Sequence, residues 1–404
     1  MRSAVHFLWQ EPGAATGFRA GVSLHSHTMH SHEGLGFIPR YAKRVPLFSW
    51  EFGRLMRRYQ AFHGQPLDFS AAYWTPPLPA REAFEVERKQ IEDGLGLRAM
   101  VSLTDHDNIT AGTQLQVVER EIPISLEWTI PFGETFFHLG VHNLPLPAAR
   151  DLVAALAGCT LHPEAGMLRD RLGDLDAESG VLTVLNHAMW DQAGIGPARH
   201  RMALRNLLES VGDRIHALEL NGVRPWEENS MVLDLARDLG RTLISGGDRH
   251  GREPNALVNL TDAVTFTEFA EEVRSGSSHV LFLPQYREPL GLRILQMMCD
   301  VLSDCPDLAG RERWTDRIVY ASRDGEFVPL SSVWNGGGPA AARWFVRGVG
   351  MVGSRQVQRA LRPLLIENHE FPRNGWSPSA TSEPVSDAAP CQSASISPAP
   401  WTTP

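Results

Sequence analysis

Two histidines, His25 and His27, close the β-rich run AGVSLHSH. At that spacing on a strand both rings share one face and can reach one metal ion. Similar residues close other apolar runs: Asp105, His106 and Asp107 follow MVSLT, Glu127 ends ISLE, and His138 sits in FFHLG. His187 ends VLNH, and Asp248, Arg249 and His250 follow ISGG. With His32, just after the first run, these segments bring seven imidazoles and the carboxylates of Glu127 and Asp248 toward strand ends. Core packing does not call for such a set. Such a set could hold divalent ions and, through them, acidify a bound water.

The elements that must position these residues read as strands at 20–25, 98–104, 122–127, 136–142, 181–186, 214–220 and 242–246. Helical patterns at 81–95, 147–157 and 228–240 lie between them. Such alternation predicts a parallel α/β sheet, and seven strands favour a closed barrel whose active site lies at the carboxyl ends of the strands. Residues 34–80 interrupt the pattern with six cations, two acids and 10 of the chain's 33 aromatics, and read as a lid. Residues 287–366 read as a partly helical appendage, with an apolar helix at 290–302 and an Arg-rich one near 354–366. The Ser/Pro-rich stretch 367–404 reads as a disordered tail.

A net charge of -9 fits poorly with a general nucleic-acid binder, so duplex nucleic acid is not an expected partner. No apolar run is long enough to span a membrane, and no membrane partner is expected. Four scattered cysteines (Cys159, Cys299, Cys305, Cys391) and an N-terminus without a secretory pattern predict a reducing, cytoplasmic location. Only two of the cations, Lys43 and Lys89, are lysines.

HSHTMHSHEG, SLTDHDN, the Glu of SLEW, FHLG, the His of LNHA and GGDRH, in that order over residues 18–285, resemble the successive motifs of the PHP (polymerase and histidinol phosphatase) superfamily. The resemblance implies a distorted seven-stranded (β/α) barrel over residues 18–286, here with a lid-like insertion and a C-terminal appendage. It also implies three divalent metal ions (Zn, Mn or Fe) and hydrolysis of phosphate esters. Carried onto this chain, it assigns a first metal to His25, His27, Glu127 and Asp248. A second falls to Glu127, His138 and His187, and a third to His32, His106 and His250. His32 stands where many members have Asp, and the exchange makes that site softer and less charged.

A phosphate also needs cationic donors, and Arg249, Arg252 and Arg224 lie beside motif-bearing strand ends. Asp107 and His142 are candidate proton donors to the leaving oxygen, although Asp107 could instead cap its turn and His142 could support a ligand. Asn221, at the end of the sixth strand, is a candidate substrate contact or simply a turn residue. The expected substrate is a small phosphorylated metabolite, a nucleotide or a short oligonucleotide, with the aromatic, cationic insert suited to a nucleobase above a phosphate. Three other readings remain. A C–N hydrolase of amidohydrolase type also begins with HxH, yet its usual bridging lysine has no counterpart after Lys89. A non-catalytic metal-binding module and a nuclease acting on oligonucleotide ends are the others.

Overall fold

Each of the seven apolar runs forms a strand in the computed structural model, which describes residues 2–39, 46–64, 68–164, 166–322, 325–334, 338–365 and 371–372. In chain order the strands are β1 (Arg2–Phe7), β2 (Ala20–Leu24), β3 (Glu33–Gly34), β4 (Ala72–Trp74), β5 (Arg98–Ser102), β6 (Ile124–Phe132) and β7 (Thr135–Leu144). They continue as β8 (Leu182–Leu185), β9 (Ala217–Asn221), β10 (Thr242–Gly246), β11 (Leu257–Thr261), β12 (Ser277–Phe282), β13 (Ile318–Ala321) and β14 (Phe327–Pro329). Helices at Ala80–Leu95, Ala149–Leu161, Trp226–Leu239 and Leu290–Val301 match those expected to within a few residues. The Arg-rich helix is shorter than expected, Arg355–Leu361, and runs on into a single 3₁₀ turn.

The fold is mixed α/β, in three sheets. One is ordered β1–β12–β11–β2–β5 and a second β10–β9–β8–β7–β6. Expectation and structure part here: no ladder among the described residues joins the two into one closed seven-stranded barrel. β7 runs antiparallel to both β6 and β8, and β11 runs antiparallel to both β12 and β2. The sheets meet instead through single bonds at strand ends. Gly247 N donates to Leu24 O at 3.0 Å, His27 N to Arg249 O at 2.9 Å, and Glu127 N to Asp105 O at 3.1 Å. Val22 and Leu24 of the first sheet share one apolar cluster with Leu182, Val184 and Ile244 of the second. Burial of these branched side chains, at about 1.5–3 kcal/mol each, is what holds the sheets together.

The third sheet, β14–β13–β4–β3, was not legible in the sequence. It joins the insertion to the appendage, since β4 pairs with β13 from Ala72↔Tyr320 to Trp74↔Ile318. Arg317, fully buried, locks the turn before β13 by donating to Val301 O at 2.6 Å and to Ser303 O at 2.5 Å. The start of the expected tail is packed: Phe371 sits among Phe7, Trp9 and Trp226, with ring centroids 5.2–5.6 Å away. Residues 366–370 and 373–404, where the rest of that expectation falls, lie outside the described residues. So do residues 40–45 of the insertion.

Candidate metal centre

Eight of the nine residues expected as metal ligands converge in one cluster, six just past strand ends and Glu127 and His138 within β6 and β7. Glu127, buried in β6, is the hub. Its Oε1 lies 3.2 Å from His25 Nε2, 3.1 Å from His187 Nε2 and 3.4 Å from His138 Nδ1. Its Oε2 lies 3.4 Å from His27 Nε2 and 3.3 Å from His106 Nδ1. Asp248 Oδ1 stands 3.7 Å from His25 Nε2, 3.6 Å from His27 Nε2 and 3.5 Å from His250 Nδ1.

Backbone geometry aims these groups. Among the described residues five non-glycine residues have positive φ, and three of them are His25, His187 and Asp248, at 62°, 30° and 51°. Non-glycine residues enter that region at a cost, and here the turn at each strand end directs a ligand-type side chain inward.

The ninth place in the cluster is taken by Glu33, whereas His32, expected there, lies outside it. Glu33 is buried, with Oε1 3.4 Å from His27 Nδ1 and Oε2 3.2 Å from His106 Nε2 and 3.1 Å from His250 Nε2. β3 pairs Glu33 with Trp74, so Glu33 points into the cluster and its neighbours point out. His32 is accordingly exposed, stacked on Tyr73 with centroids 4.0 Å apart. The available signal was the carboxylate one residue further along SHEG.

Glu219, buried on β9, supports the cluster from behind. Its Oε1 accepts from His25 Nδ1 at 2.5 Å, which fixes that ring with Nε2 facing Glu127. Its Oε2 accepts from His187 N at 2.8 Å and Asn221 Nδ2 at 2.9 Å. The Gly246–Gly247 pair makes room for this arrangement. A Cβ on Gly246 would fall 1.6 Å from Glu219 Oε1, and one on Gly247 would fall 1.6 Å from Asn255 Oδ1.

Several other expected functional groups are engaged elsewhere. Arg249 is buried away from the site, its Nε donating to Glu87 Oε1 at 2.9 Å and Nη1 to Gly251 O at 2.7 Å. His142 lies inside the core, 2.7 Å from Ser102 Oγ, where burial pushes it down to about 3. Asp107 is exposed and accepts from Thr129 N at 2.9 Å, which makes it a turn cap. Asn221, fully buried, braces Glu219 and accepts from Val223 N at 2.9 Å. Arg252 donates to Cys305 Sγ at 2.9 Å. Arg224 alone stays near the cluster: its guanidinium lies 4.0 Å from the centroid of Trp190, whose ring is 5.3 Å from that of His187.

Within the cluster, burial and the neighbouring charges pull each group in opposite directions. Burial opposes charge on Glu127, yet His25, His138 and His106 outweigh it and hold the carboxyl well below the usual range. Burial likewise opposes charge on Glu33, which His250, His106 and His27 hold low. His106, despite burial, is raised to about 10 by Glu33 and Glu127. His27 goes the other way, lowered to about 3 by burial and by His250.

Buried atoms without hydrogen-bond partners include His25 Nε2, His27 Nε2, His138 Nδ1 and Glu127 Oε2. An orphaned buried donor or acceptor costs about 1–3 kcal/mol, so four around one carboxylate need a shared partner. Four donor groups with ligand atoms within 4.8 Å of one another fit that partner as metal ions: His27/Glu33/His106/His250, His25/His27/Asp248, His25/Glu127/His187 and His106/Glu127/His138. Imidazole with carboxylate suits Zn, Mn or Fe.

No protein-family model matches the chain, and no curated protein matches it in sequence. Solved structures similar to parts of it include PsfC from Pseudomonas syringae PB-5123, at 15% identity and TM-score 0.36 over 54% of this chain and 88% of that one. Another is a candidate metal-dependent phosphoesterase from Bifidobacterium adolescentis, at 16% identity and TM-score 0.28 over 48% and 90%. A third is an amidohydrolase from Chromobacterium violaceum with bound sulfate and no metal, at 14% identity and TM-score 0.29 over 52% and 88%. Likenesses this distant do not bear on what the chain does. No helix among the described residues is long and apolar enough to cross a membrane.

Proposed function

We propose that the chain is a PHP-type metal-dependent phosphoesterase that hydrolyses phosphate monoesters of a small metabolite or nucleotide, at a site for three divalent ions. The observation that carries this reading is Glu127, a buried carboxylate with both oxygens within 3.4 Å of imidazoles that follow three other strands and of His138 on β7. Such a carboxylate could serve as a ligand to more than one cation. Divalent ions there would supply Lewis acidity, acidifying a water and offsetting charge on the phosphoryl oxygens.

The chain's own residues do the rest. His25, His27, Glu127 and Asp248 would hold one ion, His138 and His187 with Glu127 a second, and Glu33, His106 and His250 a third. Glu219 keeps His25 in the tautomer that presents Nε2. Arg224, stacked on Trp190, offers a cationic edge to an anionic substrate. The rings of Phe136, Trp190 and Trp74 lie 5.3–5.6 Å from those of His138, His187 and His250, and suit a flat, nucleobase-like substituent.

The test is phosphate release by Mn- and Zn-reconstituted protein over a panel of phosphomonoesters, nucleoside bisphosphates and short oligonucleotides, with His25→Ala as blank. Release confined to the unsubstituted protein supports the proposal. Metal-loaded protein that is silent on the panel yet cleaves cyclic amides would replace it with C–N hydrolysis.

A further inference from the structure

Far along the chain from the candidate metal centre, the helix Ala340–Val352 packs one face on a neighbouring helix and exposes large apolar side chains on another. Its inner side lies on the helix Leu290–Val301, where Cys299 Sγ donates to Val349 O at 3.3 Å. The fit is close: a Cβ on Gly353 would fall 1.9 Å from that sulfur. The outer side presents Trp344, 70% exposed, and Met351, 65% exposed, two helical turns apart and so on one stripe. Phe345 adds to it at 48% exposure. Exposed tryptophan and methionine in register are costly in water and mark a contact surface.

Charge names the kind of surface. From residue 327 to 366 the chain carries Arg343, Arg347, Arg355, Arg359 and Arg362 and no acidic residue, within a protein of net charge -9. Arg362 is paired with Glu288 at 2.6 Å. Arg343, Arg347 and Arg359 are exposed, and the Arg347 guanidinium lies 5.7 Å from the Trp344 ring centroid. A second copy seated on the same stripe would set arginines against arginines, so the occupant is an anionic surface of another kind.

We propose that this helix docks the protein on an anionic phospholipid surface, Trp344 and Met351 entering the headgroup boundary while the arginines pair with phosphates. The expectation of no membrane partner rested on the absence of a spanning segment, and a helix lying in the interface needs none. The proposal is independent of the hydrolytic reading.

Co-sedimentation of the full chain with phosphatidylcholine vesicles, with and without phosphatidylglycerol, tests it. Binding is expected only with phosphatidylglycerol and is lost at molar salt. It should weaken by ~tenfold or more in Trp344→Ser/Met351→Ser and in Arg343→Glu/Arg347→Glu, with metal content and circular dichroism unchanged. If either double variant fails to fold, the lipid and salt dependence of the unsubstituted protein decides. No binding, equal binding to neutral vesicles, self-association through Trp344, or binding to RNA in place of vesicles would each overturn it.

Discussion

A single carboxylate organises the site, and its neighbours make separable predictions. Glu33→Ala is expected to remove one bound metal, whereas His32→Ala is expected to leave metal content intact. Elemental analysis of the two variants checks this, and the reverse result would restore His32 as the ligand. Glu219→Gln keeps the shape but weakens the hold on His25, and should cost about 10–100-fold in metal affinity or turnover, as losses of ligand-orienting partners do.

Proton linkage belongs to the same scale. Carboxylates outweigh burial to raise His25, His106 and His250, His106 to about 10. A cation entering at neutral pH must therefore displace protons, so apparent metal affinity rises as pH rises. Calorimetry of metal binding in two buffers of different ionisation enthalpy measures that release, and zero protons displaced would contradict it. The ligand types were legible because HxH, TDHD and GGDRH hold chemistry-bearing residues at strand ends. His32 was misread because the in–out alternation that selects Glu33 exists only once β3 pairs with β4.

At the scale of elements, the glycines at the end of β10 are sites of close approach. Gly246→Ala would drive a methyl group into Glu219, and is expected to destabilise by about 1–3 kcal/mol and to lower metal content along with it. Thermal melts with and without Zn would show both effects. An Ala variant that melts and loads normally would mean Glu219 can move aside. The seven strands read from the sequence, six of which carry or lead into cluster residues, were legible as apolar runs with polar residues at or near their ends. β11 and β12 could not, because LVNLT and SSHVLF carry no ligand-type residue at their ends and their antiparallel pairing breaks the strand–helix alternation. β4 and β13 pair across most of the chain's length, a contact that local pattern does not encode.

The whole molecule is tied together at places where the sequence suggested independent parts. The insertion and the appendage share one sheet, and Arg311 of the appendage donates to Met29 O at 2.6 Å, in the segment between His27 and Glu33. Phe371 packs into the aromatic group formed by Phe7, Trp9, Trp226 and Tyr286. Phe371→Ala should therefore lower stability by about 1–2 kcal/mol, less than for a fully buried Phe, and a denaturant midpoint equal to that of the unsubstituted protein would contradict this.

The most direct test of the central claim, that a Glu127-centred cluster holds divalent metals side by side, is elemental analysis of purified protein after reconstitution with Zn or Mn. The unsubstituted chain should retain more than one divalent ion per molecule, and Glu127→Ala should lose at least two of the ions it shares in. Full metal occupancy in Glu127→Ala, or a folded unsubstituted chain that retains none, would contradict it.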